Sequence, residues 1–302
     1  MLRAGPWAAL PDMPGLRDIK RRIRAVKNTQ QITKAMEMVA AAKLRRTQEK
    51  VLSARPYARR AQEVLARLLG AGVEADHPLL SRRDGGKVAY LVMGGDRGLC
   101  GSYNVNIIRM ANAALAVARR EQKEVALVPV GRVVRDFFRR RGWQFPLEFT
   151  GLGDDPTFSQ ASLVAGKLTR IFLEGEADEV RVVYTEFISP LQQRPREIIL
   201  LPISPPEAIG VPDRVAVEYF FEPSPRRVLD ALLPKFVEIQ VYRTLLEAKT
   251  SEHGARMTAM RNATDNAEEM IDQLTLDFNK ARQAAITKEI SEIVRGAEAL
   301  RG

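Results

Sequence analysis

The chain has 302 residues, 45% of them hydrophobic and 28% charged, a size and balance that give one or two domains with a real core. No stretch approaches the roughly 18 uninterrupted apolar residues of a membrane span, and the opening MLRAGPWAALPDMPG is too short and Pro-rich for a secretory signal, so a soluble, cytoplasmic protein free to dock on something membrane-bound is expected. One cysteine, Cys100, excludes an internal disulfide, and two histidines, His77 and His253, are too few soft ligands for a zinc site.

The formal charge is +10, and its location says more than its size. Between Leu16 and Arg60 fourteen basic residues stand against Asp18, Glu37 and Glu49, an excess of 11, so the rest of the chain is close to neutral. So lopsided a segment is expected to face something acidic. Nucleic acid is the poorer target, because Tyr57 is the only aromatic in the segment and stacking residues should accompany such a role. An acidic protein surface fits better.

Taken in order, residues 1–15 carry Pro6, Pro11 and Pro14 around Gly5 and Gly15 and read as a disordered leader, with Met13 an alternative start. Residues 16–70 read as a long helix: Leu16 to Arg55 has no Pro or Gly and is rich in helix formers. Forty such residues span about 60 Å. Pro56 should end or kink the helix, with Tyr57 to Leu69 resuming it. Its apolar stripe is expected at Leu16, Ile19, Ile23 and Val26, then Ile32, Met36 and Val39, with the polar NTQQIT between and a thin waist at Ala35 and Ala40–Ala42. His77, before Pro78, marks a linker over 71–86.

Residues 87–222 change character. The runs KVAYLVM, EVALVPV and EVRVVYTEF alternate with helical stretches, the pattern of βαβ units around a parallel sheet. REIILLPI and RVAVEYFFEP should add antiparallel strands. The loop MGGDRGLCGSYN follows the first strand, but Gly95, Gly98 and Gly101 recur every third residue, matching neither dinucleotide nor P-loop spacing. It reads as a tight strand-to-helix turn, with Cys100 a small buried filler rather than a nucleophile.

Residues 223–302 are helical almost throughout, with Pro234 an early candidate kink and His253 a packed or solvated side chain. From Met257 the spacing is that of a coiled-coil seam: Met257, Met260, Thr264, Ala267, Ile271, Leu274, Phe278, Ala281 and Ala285. The register then slips by one residue, and a second stripe, Ile286, Ile290, Ile293, Ala297 and Leu300, starts on the neighbouring face. The fold class expected is α/β plus long helices: an antiparallel coiled coil of the N- and C-terminal helices with a central Rossmann-like α/β domain. No carboxylate pair, Ser/His/Asp set or metal cluster stands out in the sequence, and catalysis by this chain alone is not expected.

The terminal segments IKRRIRAVKNTQQITKAMEMVAAAKLRR (19–46) and RQAAITKEISEIVRGAEAL (282–300), with MGGDRGLCGSYN and ARMTAMRNATDNA between them, resemble the signatures of the F-type ATP synthase gamma family, in order and from about Met13 to Leu300. The resemblance implies a central rotor shaft that couples transmembrane ion flow to ATP synthesis, non-catalytic by itself and without a cofactor. Its implied partners are the alpha, beta and epsilon subunits and the membrane c-ring, with no nucleic acid and no direct membrane insertion. Its implied location is peripheral, on the cytoplasmic face of the inner membrane. The resemblance also implies that Met36 with Lys34 faces an acidic loop of a beta subunit, and that Arg256, Arg282, Gln283, Thr287 and Glu289 contact the catalytic subunits. A free-standing basic coiled coil that binds nucleic acid and a nucleotide-binding enzyme are the rival readings.

Overall fold

The computed structural model describes residues 15–70, 77–83, 85–204 and 224–299. Residues 1–14 of the leader, residues 71–76 and 84 of the linker, the strand expected from RVAVEYFFEP and Leu300 lie outside these residues. The elements are α1 (Leu16–Gly70), β1 (Lys87–Met93), α2 (Tyr103–Arg120), β2 (Glu124–Val130), α3 (Arg132–Arg139), α4 (Phe158–Leu173), β3 (Glu179–Phe187), β4 (Gln193–Leu201) and α5 (Pro225–Ala299). Long helices thus flank a mixed sheet. The described residues divide into two compact units, 15–36 with 260–299, and those between 37 and 259.

In the larger unit the strands lie in the order β2-β1-β3-β4. β1 runs parallel to both β2 and β3, and β4 returns antiparallel to β3. Alternation along β1 sends its side chains into two cores. Val88, Tyr90 and Val92 pack with Ile107, Ala111 and Leu115 of α2 and with Val134 and Phe138 of α3. Ala89, Leu91 and Met93 pack with Val164 and Leu168 of α4, Ala61 and Leu65 of α1, and Leu233, Val237 and Leu245 of α5. The helix α4 starts at a capping box, Thr157 with Gln160, which fixes its first turn by satisfying two otherwise orphaned backbone N–H groups.

Neither proline interrupts its helix. Pro56 costs α1 one backbone hydrogen bond, yet the helix continues to Gly70, because Ala61 and Leu65 beyond it are buried in the sheet's core. Pro234 likewise sits inside α5, between buried Leu233 and Phe236. Tertiary packing outweighs the local penalty in both.

In the smaller unit the second half of α5 meets the start of α1. The buried or half-buried positions of α5 after residue 259 include Met260, Thr264, Ala267, Ile271, Leu274, Phe278, Ala281 and Ala285, which is the expected seam. On α1 the stripe begins as expected at Leu16, Ile19, Ile23 and Val26 and then departs. Ile32 is 60% exposed and, in the larger unit, Val39 is 52% exposed; the inward positions are Gln30 and Thr33 here and Ala40 there. A helix presents one face, and from Val26 the steps of four and three lead to Gln30 and Thr33 whatever their polarity.

Candidate coupling surface

Within the smaller unit the buried polar seam is closed by one pair of hydroxyls. Thr33 Oγ1 and Thr264 Oγ1 lie 2.8 Å apart, with the Gln30 carbonyl 3.0 Å from Thr33 and the Met260 carbonyl 2.9 Å from Thr264. Each hydroxyl has one proton, so one threonine donates across the seam and the other to its own helix. The pair fixes the register at a point where apolar side chains would slide.

Beyond Ala285 this burial stops. Ile286, Ile290, Ile293 and Val294 are 46%, 56%, 71% and 50% exposed, and Ser291 is the only half-buried residue between 286 and 299. Four isoleucine and valine side chains in one and a half heptads, with no apolar partner among the described residues, form an unpaired stripe. Arg282, Gln283, Thr287 and Glu289 are all exposed around its start. On α1, Lys34 is exposed and Met36 half-buried. Arg17, Lys20, Arg22, Arg24 and Lys27 are exposed as well, while Arg21 pairs with Asp18 at 3.0 Å.

The larger unit treats the same two helices differently. Part of the basic segment is neutralised within the chain: Lys43 Nζ lies 2.7 Å from Asp154, and Arg46 and Lys50 both meet Asp155. The Lys43 hydrogen bond holds the Asp154 carboxyl below its usual range. The acidic target expected for the whole segment is thus, for these three residues, the chain's own 154–155 loop. His253 of α5 is 1% exposed, and its Nε2 lies 3.1 Å from the Asp154 carbonyl. Burial pushes the His253 ring below the usual imidazole range, and Nδ1 has no hydrogen-bond partner.

Sequence reading did not anticipate the buried charged cluster one turn away. Glu252, 2% exposed, accepts from Lys249 Nζ at 2.9 Å and from Arg256 Nη2 at 2.8 Å. Burial pushes its carboxyl up, but the two cations and their hydrogen bonds outweigh this and hold it below the usual range. Arg256 also donates to the Gly98 carbonyl at 3.2 Å, and a Cβ on Gly95 would stand 3.1 Å from the Glu252 carboxyl carbon. Gly95 of MGGDRGLCGSYN therefore lets the loop backbone approach a buried ion cluster on α5. This ties two of the segments that carried the resemblance to each other. No periodicity signal could have revealed it, since its residues are polar.

The loop's own donors and acceptors are used internally. Asn104 Oδ1 accepts from Gly95 N–H at 2.9 Å and Nδ2 donates to the Arg97 carbonyl; Asp96 Oδ1 accepts from the N–H groups of Arg132 and Gly151. Asn104 thus takes the Gly95 N–H, a backbone donor that a phosphate would otherwise use. Cys100 is 2% exposed and burial pushes its thiol up, which keeps it protonated and unreactive. Farther along, Gly254 admits the β3–β4 hairpin, a Cβ there lying 3.4 Å from the Phe187 ring, and Thr258 donates to the Pro190 carbonyl.

Comparison with known proteins adds to this geometry. The ATP synthase family matches residues 15–300. The ATP synthase gamma chain of Symbiobacterium thermophilum is 57% identical over 286 residues, covering 94% of this chain and 98% of that one. The gamma chain of Heliobacterium modesticaldum is 56% identical over 295 residues, covering 95% and 100%. Among solved structures, a chain of the Euglena gracilis mitochondrial ATP synthase (OSCP/F1/c-ring, rotational state 3) superposes with a TM-score of 0.67 at 18% identity, covering 94% of both chains. At that identity the likeness speaks for the fold alone.

Proposed function

The chain belongs to the gamma chains of the ATP synthases, and on that premise we propose that it turns as the central-stalk rotor of an F-type enzyme, coupling transmembrane ion flow to ATP synthesis or hydrolysis in a head of alpha and beta subunits. The observation that carries the reading is the change along α5. Its seam is covered as far as Ala285, and the apolar stripe after it stands bare at Ile286, Ile290, Ile293 and Val294. A stripe of that kind needs a sheath, and a bearing in the centre of the head would supply one.

In this mechanism the chain's asymmetric surface drives each catalytic subunit in turn through its binding states. One elementary charge crossing the membrane delivers about 2.3 kcal/mol per 100 mV, and several are needed per ATP. An exposed ion pair is worth at most about 1 kcal/mol. No single contact carries the stroke, so the load is shared among many weak catches. Arg282, Gln283, Thr287 and Glu289, exposed on α5, suit that role, as do Lys34 and Met36 against an acidic loop of a beta subunit. For Arg256, whose guanidinium is already bonded to Glu252 and Gly98, the favoured role is to hold the glycine loop against α5.

The epsilon subunit and the c-ring are the further partners of this reading, with the complex peripheral to the cytoplasmic face of the inner membrane. No described helix is long and apolar enough to cross a membrane. The test is Met36→Lys in reconstituted vesicles, scoring ion pumping and ATP hydrolysis separately. Pumping should fall further than hydrolysis; equal loss of the two contradicts the coupling role.

A further inference from the structure

At the end of the sheet where β1 and β2 begin, Lys87 opposite Glu124, the chain carries a cluster of guanidinium groups that the rotor mechanism does not use. The last turn of α2 supplies Arg119 and Arg120, followed by Lys123. The end of α3 and the turn after it supply Arg139, Arg140 and Arg141. The acids of the same two segments are Glu121, Glu124, Glu148 and Asp136, the last paired with Arg135 at 2.8 Å. Lys123 takes Glu121 at 2.7 Å and Arg139 takes Glu148 at 2.5 Å. Arg119, Arg120, Arg140 and Arg141 are all exposed, and none has a carboxylate partner among the described residues.

Arg119 and Arg141 of these four, and Arg139 beside them, stand on aromatic rings. The Arg119 guanidinium lies 4.7 Å from the centroid of Trp143, that of Arg141 3.5 Å from Phe137, and that of Arg139 5.9 Å from Phe145. The rings are linked to one another, Phe137 to Phe138 at 5.1 Å and Phe138 to Trp143 at 6.0 Å. Phe138 is fully buried in the core on that face of the sheet, while Trp143 and Phe145 are half-exposed. The result is a face of half-exposed aromatic rings and exposed guanidiniums, anchored on the buried Phe138. It lies at the opposite end of the sheet from the glycine loop, which follows Met93.

The geometry points to a docking face for anionic phospholipid headgroups. Guanidinium groups pair with phosphate in two-point geometry, and half-exposed aromatic rings are favoured at the level where headgroups meet acyl chains. Charge complementarity alone would also admit an acidic protein. The argument against one is the half-exposed Trp143 and Phe145 beside the guanidiniums, which suit the headgroup level and which pairing with carboxylates does not need. The rotor reading enters only in placing a membrane nearby, and binding to vesicles is measurable without it.

The chain has two tryptophans, Trp7 and Trp143, so the variant Trp7→Phe leaves a reporter inside the cluster. Full-length Trp7→Phe protein is titrated with vesicles of phosphatidylcholine containing about 30% phosphatidylserine, with phosphatidylcholine alone, and with polyglutamate. The expected result is a blue shift of Trp143 emission with the anionic vesicles only, reversed by salt. Each guanidinium replaced by glutamine should lower the vesicle partition coefficient read at Trp143 roughly fivefold, so that R119Q/R120Q/R140Q/R141Q, with unchanged circular dichroism, loses the shift. Sedimentation with vesicles without a Trp143 shift places binding on the basic start of α1 and overturns the proposal. An equal shift with polyglutamate overturns it in favour of an acidic protein. Failure to assemble with alpha and beta subunits would sink the rotor reading and leave this result untouched.

Discussion

Two stretches of the single helix α5 are built on opposite plans. Between Thr244 and Gly254 nearly every residue is buried whatever its polarity, including Lys249, Thr250, Ser251, Glu252 and His253, and each polar group but His253 Nδ1 has a partner. Between Ile286 and Ala299 nearly every residue is exposed whatever its polarity. The first stretch is gripped all round by the sheet, the glycine loop and the hairpin. The second is gripped by nothing among the described residues. A helix locked at one stretch and bare at the other is the form of a part that is held in its own domain and read by another molecule.

The largest test of this contrast is Glu252→Ala. It leaves the Lys249 and Arg256 charges buried and unpaired, and removing one partner of a buried pair costs about 3–5 kcal/mol. A marked fall in the urea midpoint of the purified chain is expected, and a change no larger than that of a surface substitution would break the comparison. Thr264→Val comes next, with about 1 kcal/mol lost with the cross-seam hydroxyl pair, read the same way.

The pH dependence is smaller and has a definite sign. Burial holds His253 below its ordinary value of 6.5, so between the folded and unfolded values the unfolded chain binds more protons, and stability rises with pH. It should fall as pH drops below about 6.5. Glu252 and Asp154 are depressed carboxylates, and their contribution is present above their ordinary values of 4.5 and 3.8 and lost below them. His77 is shifted in the same direction as His253, so the decisive measurement is the difference between wild type and His253→Gln from pH 7 to 5. A parallel pair of profiles would contradict the assignment to His253. The smallest effect is expected at the bare stretch: Ile290→Ser and Glu289→Ala should each move the stability of the isolated chain by no more than about 0.5 kcal/mol. A larger loss would mean that the stripe is covered within the chain.

Much of the architecture was legible because it rests on periodicity. The a/d steps from Met257 to Ala285 and the strand runs around Ala89, Ala126 and Val182 are patterns of apolar spacing, and the structure follows them. What was not legible depends on polar groups meeting across long sequence separations. The stripe on α1 was drawn through Ile32 and Val39 because they are apolar, while the helix turns Gln30, Thr33 and Ala40 inward. Lys43, Arg46 and Lys50 read as a strip for a foreign acidic surface, and Asp154 and Asp155, more than 100 residues later, take them. The Lys249–Glu252–Arg256 cluster carries no apolar spacing. Of the seven proposed contact residues, the structure separates Arg256, already bonded within the chain, from Arg282, Gln283, Thr287 and Glu289, which are exposed.

The central claim is that the bare stretch of α5 belongs inside a head of alpha and beta subunits. The direct measurement is to recover the tagged chain from membranes of cells that produce it, with and without Ile286, Ile290 and Ile293 changed to serine. The account predicts that the wild-type chain brings alpha and beta subunits and ATP hydrolysis with it, and that the serine variant, folded as before, brings less of both. Recovery of the wild-type chain free of alpha and beta subunits, or equal recovery with the variant, would contradict it.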